Sequence, residues 1–167
     1  MRMNPQRGQP ASALLEKIRP DALAVLLDTN ADEPHAAALA SALAGQKFAR
    51  TAELANAIRA ALPHIKAEDA TLSVRRVFQA LRIAVNDEFS ALDALLRNLP
   101  ACLKPGGRAA ILTFHSGEDR RVKKSFDAGL REKIYAAVSD GVLRPTPAEQ
   151  HSNPRSAPAK LRWAIRA

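Results

Sequence analysis

The sequence predicts an α/β protein, mostly helical, with two or three strands carried late in the chain. Three observations predict it. Apolar residues recur at three- and four-residue steps through most of the first hundred positions, as in helices with one buried side. A Pro105-Gly106-Gly107 turn then ends that period, and 108–114 (Arg-Ala-Ala-Ile-Leu-Thr-Phe) is a short apolar run of buried-strand type. Near the end, Leu161, Trp163 and Ile165 alternate with other residues, as in a strand.

Residues 1–10 are polar, with Pro5, Gly8 and Pro10, and read as an arm. A helical subdomain over 11–66 follows. Leu14, Leu15 and Ile18 share one side of a first helix. Pro20 stops it and fits the first turn of a second helix striped by Leu23, Leu26 and Leu27. Pro34 opens a third, with Ala36, Leu39, Ala40 and Leu43 inward and Gly45 as its C-terminal cap. Thr51 is the expected N-cap of a fourth, which Pro63 ends.

Residues 67–167 form the second part. The clearest period in the chain runs over 71–99. Val74, Val77, Phe78, Leu81, Val85, Phe89, Leu92, Leu95, Leu96 and Leu99 make one stripe, opposite polar residues at the same steps. It predicts one long amphipathic helix, kinked or ended near Pro100. After the 108–114 strand, 117–130 is helical with Val122 and Phe126 inward. A further helical stretch is expected over 134–138, and a small strand at Val142-Leu143.

Composition narrows the function classes. The chain has 167 residues and a formal net charge of +8. Length argues for one domain, or one domain with an appendage. A single cysteine, Cys102, excludes an intramolecular disulfide and a cysteine-built metal site, and it reads as a small buried apolar residue. No run is long and apolar enough to span a membrane, so a cytoplasmic protein without a membrane partner is expected. The charge is uneven: residues 1–103 net +1, and residues 104–167 net +7. Such asymmetry fits a polyanionic partner, most simply nucleic acid, and equally a solvated basic surface.

Sites for chemistry are few. The seven glycines form neither G-x-G-x-x-G nor a phosphate-binding loop, and Gly106-Gly107 precedes a strand instead of following one. No histidine pair has metal-ligand spacing. Ser116 lacks the leading glycine of a nucleophile elbow. His115 is the histidine of interest. It lies in Thr113-Phe114-His115-Ser116-Gly117-Glu118-Asp119-Arg120, just past the carboxyl end of the predicted strand, where open α/β sheets bind ligands. The alternative is a purely structural turn: Ser116 caps the next helix, Glu118 and Asp119 complement its dipole, and His115 orders the bend. Beyond it, Arg120 and Lys123 share a helical face with Lys124, and Arg155, Lys160, Arg162 and Arg166 form a second basic group.

Four segments together resemble one family. They are Met1-Arg2-Met3-Asn4 with Gly8; Arg76-Val77-Phe78-Gln79-Ala80-Leu81-Arg82-Ile83 with Val85-Asn86-Asp87-Glu88; Leu103-Lys104-Pro105-Gly106-Gly107-Arg108 running into Phe114-His115-Ser116-x-Glu118-Asp119-Arg120-x-Val122-Lys123; and Asn153-Pro154-Arg155 with Lys160-Leu161-Arg162. Their order and spacing are similar to those of the bacterial 16S rRNA (cytosine-N4)-methyltransferase family, RsmH or MraW. The resemblance implies part of a class I methyltransferase, Rossmann-like sheet of two or three strands with an inserted helical subdomain. There are departures: Leu is usual where Gly117 stands, and Ser where Thr113 stands.

The resemblance also implies S-adenosylmethionine as methyl donor, yet the family's glycine-rich donor loop has no counterpart in these residues. The expectation is therefore a truncated relative with no cofactor site of its own, binding RNA or a partner without independent activity. A split methyltransferase completed by another chain, and a non-enzymatic helical interaction module, are the alternatives. In the resemblance, His115, Ser116, Glu118 and Asp119 are acceptor-side candidates. Arg75, Arg76, Arg82, Arg120, Lys123, Arg155 and Lys160 are candidates for phosphate contact with rRNA or the small ribosomal subunit. An unpaired cytosine is the implied target, since a base must leave its stack before its amine can react. The open edge of strand 108–114 is expected to pair with a second copy or a docking partner.

Overall fold

The computed structural model describes residues 1–6 and 8–167, and Arg7 in the expected arm lies outside them. The chain divides into two compact units, Met1–Glu88 and Phe89–Ala167.

The first unit is helical: α1 (Ala11–Lys17), α2 (Pro20–Ala31), α3 (Ala36–Leu43), α4 (Thr51–Ala60) and α5 (Ala67–Asn86). The apolar stripes meet at its centre, where Leu15, Leu23, Leu27, Leu39, Leu43, Ile58, Val77 and Leu81 are buried. At about 25 cal/mol per Å² of apolar surface removed from water, this burial is the main force holding the unit together. Pro20 occupies the first turn of α2, where its missing N–H costs nothing. Gly45 follows the end of α3 with φ +76°, and its N–H donates to Leu15 O. Thr51 is the first residue of α4 and not its cap. Glu53 instead folds back, and Oε2 accepts the Ala49 and Arg50 N–H groups. One carboxylate thereby satisfies two N–H groups at the helix entrance.

The expected long helix is two helices. α5 ends at Asp87, which lies in the left-handed region (φ 52°, ψ 41°), and α6 (Glu88–Asn98) begins at the next residue. Aspartate tolerates this conformation better than most residues. Asn86 fixes the end of α5 by donating to Arg82 O and to Met1 O, while its Oδ1 accepts the Met3 N–H at 2.7 Å. The opening Met-Arg-Met segment and the Val85–Glu88 segment thus form one joint.

The second unit contains α6, β1 (Arg108–Thr113), α7 (Ser116–Arg131), β2 (Tyr135–Val138), α8 (Pro147–Ser152) and β3 (Lys160–Arg166). The strands form one antiparallel sheet in the order β1-β3-β2. Ala110 pairs with Trp163 and Leu112 with Leu161. Leu96, Val122, Phe126, Tyr135 and Ala164 are the buried core. Phe126 meets Tyr135 edge-on at 5.5 Å. Gly129 allows that approach, because a Cβ there would stand 2.5 Å from the Tyr135 ring.

Several expectations change here. Residues 135–138 are a strand, not a helix, because β3 offers them a ladder. Val142-Leu143 makes only an isolated bridge, Leu143 to Leu161. β1 is buried on one face only: Thr113 is buried, while Leu112 and Phe114 are about half exposed. Leu95 departs from its stripe and is exposed, as is Cys102. Among the described strands, β1 pairs with β3 alone and is an edge strand.

Candidate functional site

The turn from β1 into α7 is built from its own backbone needs. A helix start leaves N–H groups without partners. His115 is the N-cap in extended conformation, and its Nδ1 accepts the Glu118 N–H at 3.3 Å. Glu118 answers in the other direction, with Oε2 accepting the Phe114 N–H at 2.9 Å. This reciprocal arrangement is a capping box with histidine where serine or threonine is usual. The expected cap, Ser116, is instead the first helical residue and is exposed.

With Nδ1 taken up by the cap, Nε2 is the ring nitrogen that faces the Glu118 carboxylate. That atom is buried and lies 3.3 Å from Glu118 Oε1, without hydrogen-bond alignment. Burial pushes the Glu118 carboxyl up. The contacts from His115 and the Phe114 N–H outweigh it and hold the group below its ordinary value. In this geometry His115 positions the turn, because its one free lone pair is already engaged.

Phe89 closes the inner side. Its ring lies 5.9 Å from the His115 ring, and the Arg121 guanidinium stacks 3.7 Å over it. Arg121 Nε also reaches Asp93 Oδ1 at 3.5 Å. Gly117 is where the ring approaches closest. A Cβ there would stand 2.7 Å from Phe89 Cζ, which explains a glycine in the first turn of α7.

Asp119 ties α7 to β3. Its oxygens accept from Arg162 Nε at 2.7 Å and Nη2 at 3.3 Å, and from Lys160 Nζ at 3.4 Å. Burial raises the Asp119 carboxyl; the Arg162 and Lys160 cations outweigh this and hold it below the usual range. Thr113 adds a second tie by donating from Oγ1 to Lys160 O at 3.2 Å.

The structure therefore brings His115, Glu118, Asp119 and Lys160 to one end of the sheet, with Ser116 beside them. Lys160 is turned onto Asp119 and is only partly available to an anion. Arg120, Lys123 and Arg155 are exposed in the same unit. Arg75, Arg76 and Arg82 belong to α5 in the first unit, and Arg82 makes a two-point pair with Glu88. Sequence reasoning missed Arg162 as the anchor of Asp119, and Phe89 and Arg121 as the packing around His115. Motif order places Asp119 and Arg162 in the same family pattern, but spacing carries no sign that they touch. Among the described residues, no group of three or more His, Cys, Asp or Glu could hold a metal ion.

Comparison with known proteins places this geometry in context. The family model described as the MraW methylase family matches residues 1–167. The chain is 46% identical over 176 residues to "Ribosomal RNA small subunit methyltransferase H 2" of Alkaliphilus metalliredigens (strain QYMF), covering 100% of this chain and 50% of that protein. It is 42% identical to "Ribosomal RNA small subunit methyltransferase H 1" of Agathobacter rectalis, again covering 100% of this chain and 50% of that protein. Against "Ribosomal RNA small subunit methyltransferase H" of Crocosphaera subtropica it is 41% identical, covering 99% of this chain and 52% of that protein.

Proposed function

We propose a function from one premise: the chain belongs to the MraW methylase family. It spans about half the length of the curated relatives it matches. The reading supported best is that these residues supply the RNA-acceptor side of a small-subunit rRNA methyltransferase, acting in the cytoplasm. The observation that carries it is the anchored 113–119 turn just past β1, which gathers His115, Glu118, Asp119 and Lys160 at one end of the sheet. His115, Ser116, Glu118 and Asp119 shape that end of the sheet, with His115 in a positioning role. Arg75, Arg76, Arg82, Arg120, Lys123, Arg155 and Lys160 meet phosphates. The +7 carried by residues 104–167 supports the phosphate reading.

S-adenosylmethionine would supply the methyl group in this family; the sequence carries no glycine-rich donor loop, and the β1–α7 turn does not fit the cofactor. The β1–α7 turn is held shut by the His115–Glu118 capping box, and the space beside its glycine, Gly117, is filled by Phe89. We therefore assign the donor's contacts to residues outside 1–167.

A second reading is that this chain is one part of a split enzyme, completed by another chain that holds the donor site. The edge position of β1 favours it, since an unpaired strand edge invites a further strand. No helix of the described residues is long and apolar enough to cross a membrane, and no membrane partner is proposed.

Two measurements test the main reading. Anisotropy titration of a small-subunit rRNA fragment should show binding whose log affinity falls linearly with log salt. Calorimetry with S-adenosylmethionine should show no tight binding by the chain alone. Absence of RNA binding at low salt would remove the acceptor reading, and tight donor binding would remove the assignment of the donor site elsewhere.

A further inference from the structure

We propose that the outward face and open edge of the β1-β3-β2 sheet are a docking surface for one occupant: the polypeptide corresponding to the half of the curated relatives that lies outside this chain's match. The inference deepens the reading that other residues complete the site, and it starts from an inversion in β3. Strand alternation sets Leu161, Trp163 and Ile165 on one face, across from Leu112, Ala110 and Arg108 of β1. Lys160, Arg162, Ala164 and Arg166 fall on the other face, where Ala164 joins Val122 and Phe126 in the core. A sheet with one wet face carries its polar residues on that face. In β3 the covered face holds the cations and the uncovered face holds the apolar side chains. Leu112 is 53% exposed on that uncovered face. Where small Ala110 pairs with large Trp163, an apolar hollow of about 460 Å³ opens, lined also by Arg108 and Ile165. A side chain from a covering helix would fill it.

Three observations decide what covers this face. A sheet apolar on its outer face needs a helical layer there as well, and α7 packs on the inner face only. β1 has β3 on one side and, among the described strands, none on the other, so the same partner has a strand edge to extend. A partner that brings both a strand and helices is a folded α/β layer, not a short peptide. The match covers 100% of this chain and 50% of the Alkaliphilus relative, so about as many residues again lie outside it, enough for such a layer. A second copy fits less well. Residues 104–167 carry a net +7, and pairing two such units through this sheet would set like charges against each other.

The test co-expresses the full chain with the unmatched half of the Alkaliphilus metalliredigens relative. The two should co-purify as a one-to-one complex. Amides of 108–113 should exchange at least about tenfold more slowly in the complex than in the chain alone, with α4 unchanged. Leu112→Gln and Trp163→Gln should each weaken the complex about tenfold or more. Leu130→Gln, at an exposed apolar position on α7, should leave it parent-like. Leu112 is half exposed, so Leu112→Gln keeps the parent's thermal unfolding and separates lost docking from lost folding. Failure to co-purify overturns the inference, as does a complex that folded Leu112→Gln leaves at parent strength. Protection of 108–113 that grows with the concentration of this chain alone overturns the assigned occupant in favour of a second copy. RNA binding without any complex overturns the interface and leaves the acceptor reading standing. A complex that forms while the parent chain binds no RNA sustains the interface and removes the acceptor reading.

Discussion

Asp119 and Arg162, forty-three residues apart, form a two-point ion pair with Nε to Oδ1 at 2.7 Å and Nη2 to Oδ2 at 3.3 Å. Both side chains are largely shielded from water, at 14% and 12% exposure. Removing one partner leaves a poorly solvated charge, which costs more than the pair itself contributes. Arg162→Ala should lower unfolding free energy by about 2 kcal/mol in urea titration, with Asp119→Asn smaller because its amide still accepts. A loss below a few tenths of a kcal/mol would show that the tie is decorative.

The same carboxyl sets a pH dependence. Its folded value lies below the ordinary 3.8 because the Arg162 and Lys160 cations outweigh burial. A depressed carboxyl stabilises the fold fully above its unfolded value and loses that contribution as pH falls through the folded value. Stability should therefore decline as pH drops below about 4, and Asp119→Asn should flatten that decline. Parallel acid limbs for the two proteins would contradict the assignment.

Gly117 should resist substitution. A Cβ there meets Phe89 Cζ at 2.7 Å, so Gly117→Ala must displace the ring that carries Arg121 and faces His115. A loss of about 1–3 kcal/mol is expected, as for other overpacked sites. Adding Phe89→Leu should recover part of it, giving a coupling energy above about 0.5 kcal/mol in a double-mutant cycle.

Asn86→Ala should release the chain's first residues. It removes the acceptor for the Met3 N–H and the donor to Met1 O in one step. Amide exchange at Met3 should accelerate strongly while α4 stays protected. Unchanged exchange at Met3 would mean that the segment is held by other contacts.

Lys123 carries the phosphate reading in its simplest form, being exposed on α7. Lys123→Ala should weaken binding to unrelated RNA sequences alike and reduce the salt slope by about 0.7 for a single strand. A loss confined to one sequence would point to base contact instead.

Much of the fold is written locally. The stripe Leu23–Leu27 and the stripe Val77–Leu81 each mark an element whose buried side follows from spacing alone, whereas the alternation of Leu161, Trp163 and Ile165 marks the strand but not its buried side, which belongs to Ala164 on the other face. The Pro105-Gly106-Gly107 turn likewise needs no distant partner, with Gly106 at φ +75°. The acceptor-side residues were legible as a motif, but their arrangement was not.

What tertiary structure decided lies where a segment's conformation depends on a partner elsewhere in the chain. Tyr135-Ala136-Ala137-Val138 has no strong local preference, and its alanines favour helix; β3 makes it a strand. Asp87 interrupts an unbroken apolar period, because one residue in the left-handed region ends a helix whatever the stripe continues to say. His115 takes the cap from Ser116, and Asp119 finds Arg162, through contacts that spacing does not encode. Periodicity reports which side of an element avoids water, and hydrogen bonding across the fold fixes where each element stops and which charges meet.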